Sequence, residues 1–483
     1  MNILIINPPG RIETPPAFFP LGLGYIASVL LRDGHFVKAL DFEGNRPSPT
    51  TIYPEGIVEA KLKETLNEMD FGIVMIGALT NRYKYVKWLD KTIKKIKPKI
   101  KIMLGNTVAS DIPELVLRKL EVDIVCLGEG EITSQEVVRT LENGRSLRGV
   151  KGIWFKENGQ IYRNPPRKLI SNLDELPFPA WDLFPVETYI NNFKKYISCG
   201  KRGINIVMIR GCPYRCKYCC KIFKRTVRWR SADSVIKEIK ELKRRYGVEY
   251  ISFADENSMV NKKLLYEFCR KLKEEKLNIK WGCAGRVDLI DEDIVREMRS
   301  AGCVFIGMGI ESSSQKIFDN MQKDQTVEQI IRAIDIIRKV GGIIEDTSFM
   351  IGYPGETRET ILETTEFRIK NKLPGNYFIT TAYPGAVLYE EAKNGLIKDE
   401  DKYLESLENP NELLINFTDI PDEELLRLKE EMEKRIARNL LFYRFVRYFK
   451  IRGFSYIFTY EFLNDFFRKA FYNFKLIFGK KLR

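Results

Sequence analysis

The residues best suited to do chemistry are the cysteines of Arg210-Gly211-Cys212-Pro213-Tyr214-Arg215-Cys216-Lys217-Tyr218-Cys219-Cys220. Their CxxxCxxC spacing puts three thiolates in one short loop, directly after a predicted strand. An iron–sulfur cluster usually takes four cysteines. Three leave one iron open, and an open metal position is what activation of a cofactor or substrate requires. The competing reading is a structural zinc site, which wants four tetrahedral ligands and a paired CxxC elsewhere. Cys220 is a candidate fourth sulfur, but adjacent residues rarely reach the same ion. The spacing favours the open cluster.

Such a loop needs a scaffold, and the sequence around it alternates. From about 200 to 385, strands are predicted at Ile204–Ile209, Tyr250–Ala254, Ile279–Ala284, Cys303–Ile310, Ile343–Met350 and Tyr377–Thr381. Helices at Ala232–Tyr246, Lys262–Glu275, Asp291–Ser300, Val327–Val340 and Glu356–Asn371 separate them. Six βα units predict an α/β parallel structure, an open sheet or a partial TIM-type barrel, with its chemistry at the carboxyl ends of the strands. The first ~145 residues alternate in the same way. Continuous apolar runs at Ile3–Asn7, Val37–Leu40, Ile73–Gly77, Ile100–Gly105 and Ile124–Gly128 read as buried parallel strands. Helices at Gly22–Leu31, Glu55–Met69, Tyr83–Ile96, Pro113–Leu120 and Thr133–Glu142 complete a Rossmann-like, doubly wound sheet of about five strands. Between the two lies a proline-rich segment with Asn164-Pro165-Pro166 and Leu176-Pro177-Phe178-Pro179-Ala180-Trp181, which reads as a strap. The expected divisions are 1–145, a strap over 146–198, a catalytic domain over 199–390 and a basic, aromatic, helical region over 391–483.

The chain of 483 residues is long enough for two or three domains, and its 44% apolar content suits a globular protein. No secretory signal is read at Met1–Ile6, and no run is long and apolar enough to span a membrane. The nine cysteines are therefore expected in a reducing cytoplasm, where spaced cysteines suggest metal binding or catalysis before disulfides. His35 is the only histidine, which excludes histidine-rich metal sites within one chain. Cys126, Cys283 and Cys303 lie in strand runs and read as core residues; Cys199 and Cys269 lack ligand spacing. No internal repeat or low-complexity tract is present.

On these residues the middle of the chain resembles the radical S-adenosylmethionine superfamily. The resemblance implies a 4Fe-4S cluster on Cys212, Cys216 and Cys219, whose open iron chelates the amino and carboxylate groups of S-adenosylmethionine. One electron then cleaves the sulfonium, and the 5′-deoxyadenosyl radical takes hydrogen from a substrate. An external donor of ferredoxin or flavodoxin type is implied. Tyr218 matches the aromatic position near the adenine. Ala254-Asp255-Glu256-Asn257 matches the segment that receives the methionyl amine, leaving Asp255 and Glu256 both open. Arg286 is matched to the carboxylate, Glu311 to ribose or substrate, and Gly352 and Gly355 to the turn over the adenine. Each carboxylate taken alone reads as well as a helix cap; their order along the chain does not. No residue is singled out as catalytic acid, base or nucleophile.

The first domain resembles the cobalamin-binding class of these enzymes, which includes methyltransferases and an anaerobic porphyrin-ring cyclase. The echoes are Asn7-Pro8-Pro9, Pro20-Leu21-Gly22-Leu23, Gly105-Asn106-Thr107, Leu127-Gly128-Glu129-Gly130-Glu131 and the strap Leu176–Trp181. Pro8, Leu21, Gly22, Gly105, Asn106, Thr107, Gly128, Glu129 and Gly130 are thereby matched to the corrin. Asp33-Gly34-His35-Phe36-Val37-Lys38 departs from the Asp-x-His-x-x-Gly motif and precedes the second strand, so His35 reads as a turn residue and the corrin as lacking a histidine ligand. Gly105-Asn106-Thr107-Val108 stands where the family usually has Gly-Gly-Pro-His.

The net charge of +14 suits an acidic partner, or simply a solvated lysine-rich surface. From Ile436 to Arg483 the chain carries eleven Lys/Arg, two acids and sixteen Phe/Tyr. That mixture suits an interfacial helix on anionic lipid at the inner membrane face, or a cap completing the catalytic core. No RNA-recognition module accompanies it, so nucleic acid is the weaker reading. The whole points to a cobalamin-dependent C-methyltransferase acting on a small, hydrophobic or lipid-like substrate. A cobalamin-free radical cyclase or coupling enzyme is the nearer alternative, and a non-catalytic metal-binding module with an RNA-binding tail the remote one.

Overall fold

The run Ile3-Leu4-Ile5-Ile6 is completely buried at the centre of strand β1 (Asn2–Asn7), which pairs in parallel with β2 (Phe36–Asp41) and β3 (Ile73–Gly77). The computed structural model describes residues 1–10, 15–46, 54–198, 200–221, 223–407, 412–443 and 446. They fall into two units, one of Met1–Glu256, Lys271–Ile279 and Ala382–Asn409, the other holding Asn257–Arg270, Lys280–Thr381 and the helix Asp422–Asn439.

In the first unit β4 (Lys101–Gly105) and β5 (Ile124–Cys126) continue the parallel sheet in the order β2-β1-β3-β4-β5. The order reverses between β1 and β3, and in such sheets a crevice opens there, outside the carboxyl ends of the strands. The helices Leu21–Arg32, Glu55–Glu68, Tyr83–Ile96, Pro113–Lys119 and Glu131–Glu142 lie where the periodicity put them. In Tyr83–Ile96, for example, Val86, Leu89 and Ile93 share one buried face at helical spacing. The sheet is larger than expected. Two antiparallel strands, β6 (Ile153–Glu157) and β7 (Gln160–Arg163), extend it to seven. Asn158 (φ 51°) and Gly159 (φ 76°) join them by a two-residue turn with both φ positive, the geometry an Asn-Gly pair favours.

The strap after this hairpin lies on the helix Leu21–Arg32. The Ala180 amide donates to the Gly24 carbonyl at 3.0 Å, and Ser28 Oγ to that of Phe178 at 2.6 Å. A Cβ on Gly24 would come within 2.9 Å of Pro179 and 2.8 Å of the Phe19 ring, so the close approach requires glycine. Trp181 is buried with its ring 4.5 Å from that of Phe19.

The expected strand Ile204–Ile209 is broken. Its first part, β8 (Gly203–Ile206), pairs in parallel with Tyr250–Phe253, and its end forms β9 (Ile209–Arg210), antiparallel to β10 (Arg228–Trp229). Tyr250–Phe253 is β11. The second unit carries β12 (Lys280–Ala284), β13 (Cys303–Glu311), β14 (Ile344–Ile351) and β15 (Tyr377–Ile379), all parallel and in chain order. Helices Glu292–Ser300, Val327–Val340 and Arg358–Lys370 connect them. Thr326 and Thr357 form capping boxes, which fixes two of these helix starts. Within the region expected to be helical over 391–483, the described residues form the helices Glu400–Ser406 and Asp422–Asn439. Most of the aromatic, basic tail, from 447 to 483, lies outside the described residues, as does Cys199.

Candidate active site

The cysteine loop is the connection of a hairpin. Arg210 on β9 and Arg228 on β10 face each other directly, and residues 211–227 run between them. Gly211 starts the loop at φ 96°, where a Cβ would lie 2.3 Å from the Thr226 carbonyl oxygen, so only glycine fits. Within the loop the Cys212 amide donates to the Lys224 carbonyl at 3.5 Å and the Cys219 amide to that of Cys216 at 3.3 Å. Cys212, Cys216 and Cys220 are partly buried, and Cys219 is exposed at its surface. Even so, desolvation pushes the Cys219 thiol up to about 12, reinforced by Cys220, Cys216 and Cys212. Cys212 is raised by burial first, against the opposing charge of Lys221. The Lys221 ammonium is buried here without a hydrogen-bond partner. Tyr218, which lies between Cys216 and Cys219 in the chain, is partly buried. Among the described residues, no three His, Cys, Asp or Glu side chains converge at metal-ligand separation. The loop does supply the donor chemistry, since a bound metal deprotonates its thiol ligands outright.

Two carboxylates follow β11. Asp255 Oδ1 accepts from the Met208 and Ile209 amides at 2.8 and 2.9 Å, bracing the break between β8 and β9. Glu256 is close enough that its charge raises both Cys212 and Cys220.

A buried ion cluster anchors the base of the loop. Glu129 accepts from Arg210 at 2.8 Å and, through both oxygens, from Arg228 at 2.7 Å; Glu131 accepts from Arg210 at 2.7 Å. The Ile170 amide donates to Glu129 at 2.7 Å. All four side chains are buried. The Glu129 carboxylate, expected at the corrin, is thus bound to the arginines, and its carbonyl accepts from Thr133 Oγ1 at 3.2 Å. Sequence reasoning missed this cluster. The two acids and the two flanking arginines are visible, but partners 81 and 99 residues apart are not.

The other residues matched to the corrin do lie at the carboxyl ends of the first sheet or at the helix that follows β1. Pro8 follows β1, and its carbonyl accepts from Arg82 at 2.6 Å. Leu21 and Gly22 open the first helix. Asn106 takes φ 72°, a conformation glycine adopts freely, and so serves at the turn where the family has its second glycine. Thr107 Oγ1 accepts from the Thr80 amide and hydroxyl, both at 2.9 Å. Beside Gly22 and Gly128 no atom stands within 4 Å of an added Cβ, and beside Gly105 the nearest is at 3.9 Å. These glycines border open space of the kind a flat ligand needs; Gly130 does not, being covered by Ile26 at 3.0 Å. His35 precedes β2, at the amino ends of the strands and away from this crevice, 3.3 Å from the Met1 amine and from Glu142. The crevice thus fits a corrin without a histidine ligand. Sequence reasoning also missed Asp111, whose carboxyl is pushed up to about 7 by desolvation and is felt by Cys220.

In the second unit, Arg286 follows β12 and Glu311 ends β13. Arg286 donates to Asp288 at 2.8 Å and to the Lys323 carbonyl at 2.6 Å, while Lys323 Nζ donates to Glu311 at 3.0 Å. Lys323 therefore joins the two, a residue the sequence did not flag. Glu311 has φ 73°, a strained value for this residue type. Gly352 (φ 85°) and Gly355 (φ 84°) form the turn after β14. It is closed by Glu356, which accepts from the Gly352 and Tyr353 amides at 2.6 and 3.1 Å. Burial pushes that carboxyl up to about 7. Cys126, Cys283 and Cys303 are buried, as expected of core residues.

Residues 206–368 match the Radical SAM superfamily, and residues 11–138 the B12 binding domain. An uncharacterized methyltransferase of Pyrococcus horikoshii is 34% identical over 403 residues, covering 81% of this chain and 83% of that one. The anaerobic magnesium-protoporphyrin IX monomethyl ester cyclase of Rubrivivax gelatinosus is 29% identical over 421 residues, 83% of this chain and 72% of the cyclase. Among solved structures, the radical S-adenosylmethionine methyltransferase TsrM of Kitasatospora setae, with cobalamin and an iron–sulfur cluster bound, superposes with a TM-score of 0.67 at 17% identity, over 82% of this chain and 78% of TsrM. The cobalamin-dependent radical enzyme OxsB gives 0.68 at 16%, over 98% of this chain and 75% of OxsB. At such identities the likeness to solved structures concerns the fold.

Proposed function

The chain belongs to the radical S-adenosylmethionine enzymes that carry a cobalamin-binding domain, and from that premise we propose that it is a C-methyltransferase. The observation that supports this most is the glycine-bordered crevice at Gly22, Gly105 and Gly128, in the same loop system whose Glu129 grips both ends of the cysteine hairpin. When bound, the cluster supplies the electron that cleaves S-adenosylmethionine, and the corrin carries the methyl group. The protein's part is to bind, orient and exclude water.

Cys212, Cys216 and Cys219 are the proposed cluster ligands, with Cys220 left out. Glu256 is the better candidate for the methionyl amine, because Asp255 already accepts two backbone amides. Tyr218 serves the adenine. In the second unit Arg286 and Glu311, connected through Lys323, are assigned to the carboxylate and ribose, and the backbone of Gly352 and Gly355 to the adenine. We assign 1–145 to cobalamin, 146–198 to the strap and 199–390 to a catalytic domain of partial (βα)6-barrel type, with 391–483 as a helical extension. The substrate is taken to be small and hydrophobic or lipid-like, because the tail from 436 carries so many aromatics and cations; that tail would make a peripheral membrane contact. Among the described residues no helix is long and apolar enough to cross a membrane.

The test is cobalt per chain after anaerobic cluster reconstitution with hydroxocobalamin and desalting. Near one cobalt per chain supports methyl transfer. Essentially none leaves the family standing and makes the cobalamin-free cyclase or coupling reading the better one.

A further inference from the structure

From Arg210 to Arg230 the chain carries eight Lys/Arg and no Asp or Glu. Most of these charges are accounted for within the fold. Arg210 and Arg228 meet Glu129 and Glu131, Arg230 is paired with buried Glu238, and Lys217 meets Glu391 at 2.9 Å. The Lys221 ammonium is enclosed near the thiols. Arg215, Lys224 and Arg225 remain. All three are exposed, and none has an acidic partner among the described residues. Lys224 adopts φ 57° in the turn whose carbonyl receives the Cys212 amide, so this cationic rim belongs to the turn that holds the first cysteine.

We propose that Arg215, Lys224 and Arg225 form the docking surface for a small acidic one-electron carrier of flavodoxin or ferredoxin type. This rests on the cluster assignment above. The carrier gives up one electron and the cluster accepts it, with no bond made or broken and no proton moved. A negatively charged carrier is steered to such an exposed cationic rim at rates raised by roughly 10- to 1,000-fold. Single-stranded RNA is the less suitable occupant, because a backbone track needs a longer groove of cations interleaved with stacking aromatics.

The experiment compares the full-length parent with an Arg215→Glu/Lys224→Glu/Arg225→Glu variant, using recombinant flavodoxin as the probe. Binding of oxidised flavodoxin is measured before cluster reconstitution, and the rate of cluster bleaching by reduced flavodoxin after it. The variant should bind at least roughly tenfold more weakly and be reduced more slowly by a similar factor, with the difference shrinking as salt screens the charges. Reduction by dithionite should match the parent, which shows an intact cluster. If the triple variant fails to load iron, the single reversals replace it, each expected to weaken binding by about threefold as its share of that steering. Equal flavodoxin binding by parent and variant at low salt overturns the proposal, as does an RNA oligonucleotide that depends on these residues when flavodoxin does not. A parent that never assembles a cluster refutes the cluster assignment instead, and leaves the binding result to be read by itself.

Discussion

Removing Glu129 should loosen the cysteine hairpin without unfolding the sheet that supplies the glutamate. The carboxylate accepts from Arg210, twice from Arg228 and from the Ile170 amide, all at 2.7–2.8 Å and out of water. In Glu129→Ala, Arg210 keeps Glu131 at 2.7 Å, but Arg228 loses its carboxylate and keeps only the Ile170 carbonyl at 2.9 Å. Breaking a buried pair in this way costs about 3–5 kcal/mol, because the remaining cation stays desolvated. If that cost falls on the local opening of residues 209–230, the opening equilibrium shifts by roughly two to three and a half orders of magnitude at 1.4 kcal/mol per decade. Amide hydrogen exchange resolved by peptide is the assay. Peptides across 209–230 should lose protection by that factor, with β1 and β3 unchanged. The control is Glu114→Ala, which removes exposed pairs with Arg118 and Arg163 and should alter nothing. Unchanged exchange across 209–230 in Glu129→Ala would refute the anchoring role.

Gly211→Ala places a methyl 2.3 Å from the Thr226 oxygen at a positive φ; iron per chain after reconstitution should fall several-fold while helical circular dichroism is kept. Burial raises Glu356 from the ordinary carboxyl range to about 7, so its contribution to stability is fully present below the unfolded pKa and is lost as pH rises through about 7. Glu356→Gln removes that titration, and the difference in denaturation midpoint between variant and parent should therefore move in the variant's favour between pH 5 and pH 8; a pH-independent difference would contradict it. Deleting residues from 444 onward should abolish co-sedimentation with anionic liposomes, and undiminished co-sedimentation would remove the support for a lipid surface.

Much of the fold was legible in the sequence because buried parallel strands write continuous apolar runs. Ile73–Gly77 and the helix Tyr83–Ile96 lie where the pattern put them. The β6–β7 hairpin was not read, although Asn158-Gly159 is a strong turn signal, because the prolines that follow made the whole stretch look like strap. Spacing within a loop is what marks Cys212, Cys216 and Cys219 as candidates in the sequence. The site was illegible where function depends on partners far apart in the chain. Glu129 drew attention through its glycine neighbours, yet its side chain answers to Arg210 and Arg228. Asp255 and Glu256 could not be separated in sequence, because only the fold reveals that Asp255 braces the Met208 and Ile209 amides.

The most direct test of the account is 5′-deoxyadenosine release by the anaerobically reconstituted protein given S-adenosylmethionine and a reductant, compared across four single cysteine variants. The account predicts that Cys212→Ala, Cys216→Ala and Cys219→Ala each lose iron and all cleavage, while Cys220→Ala retains both. Cleavage at the parent rate by any of the first three, or its loss in Cys220→Ala alone, would contradict the assignment on which the rest depends.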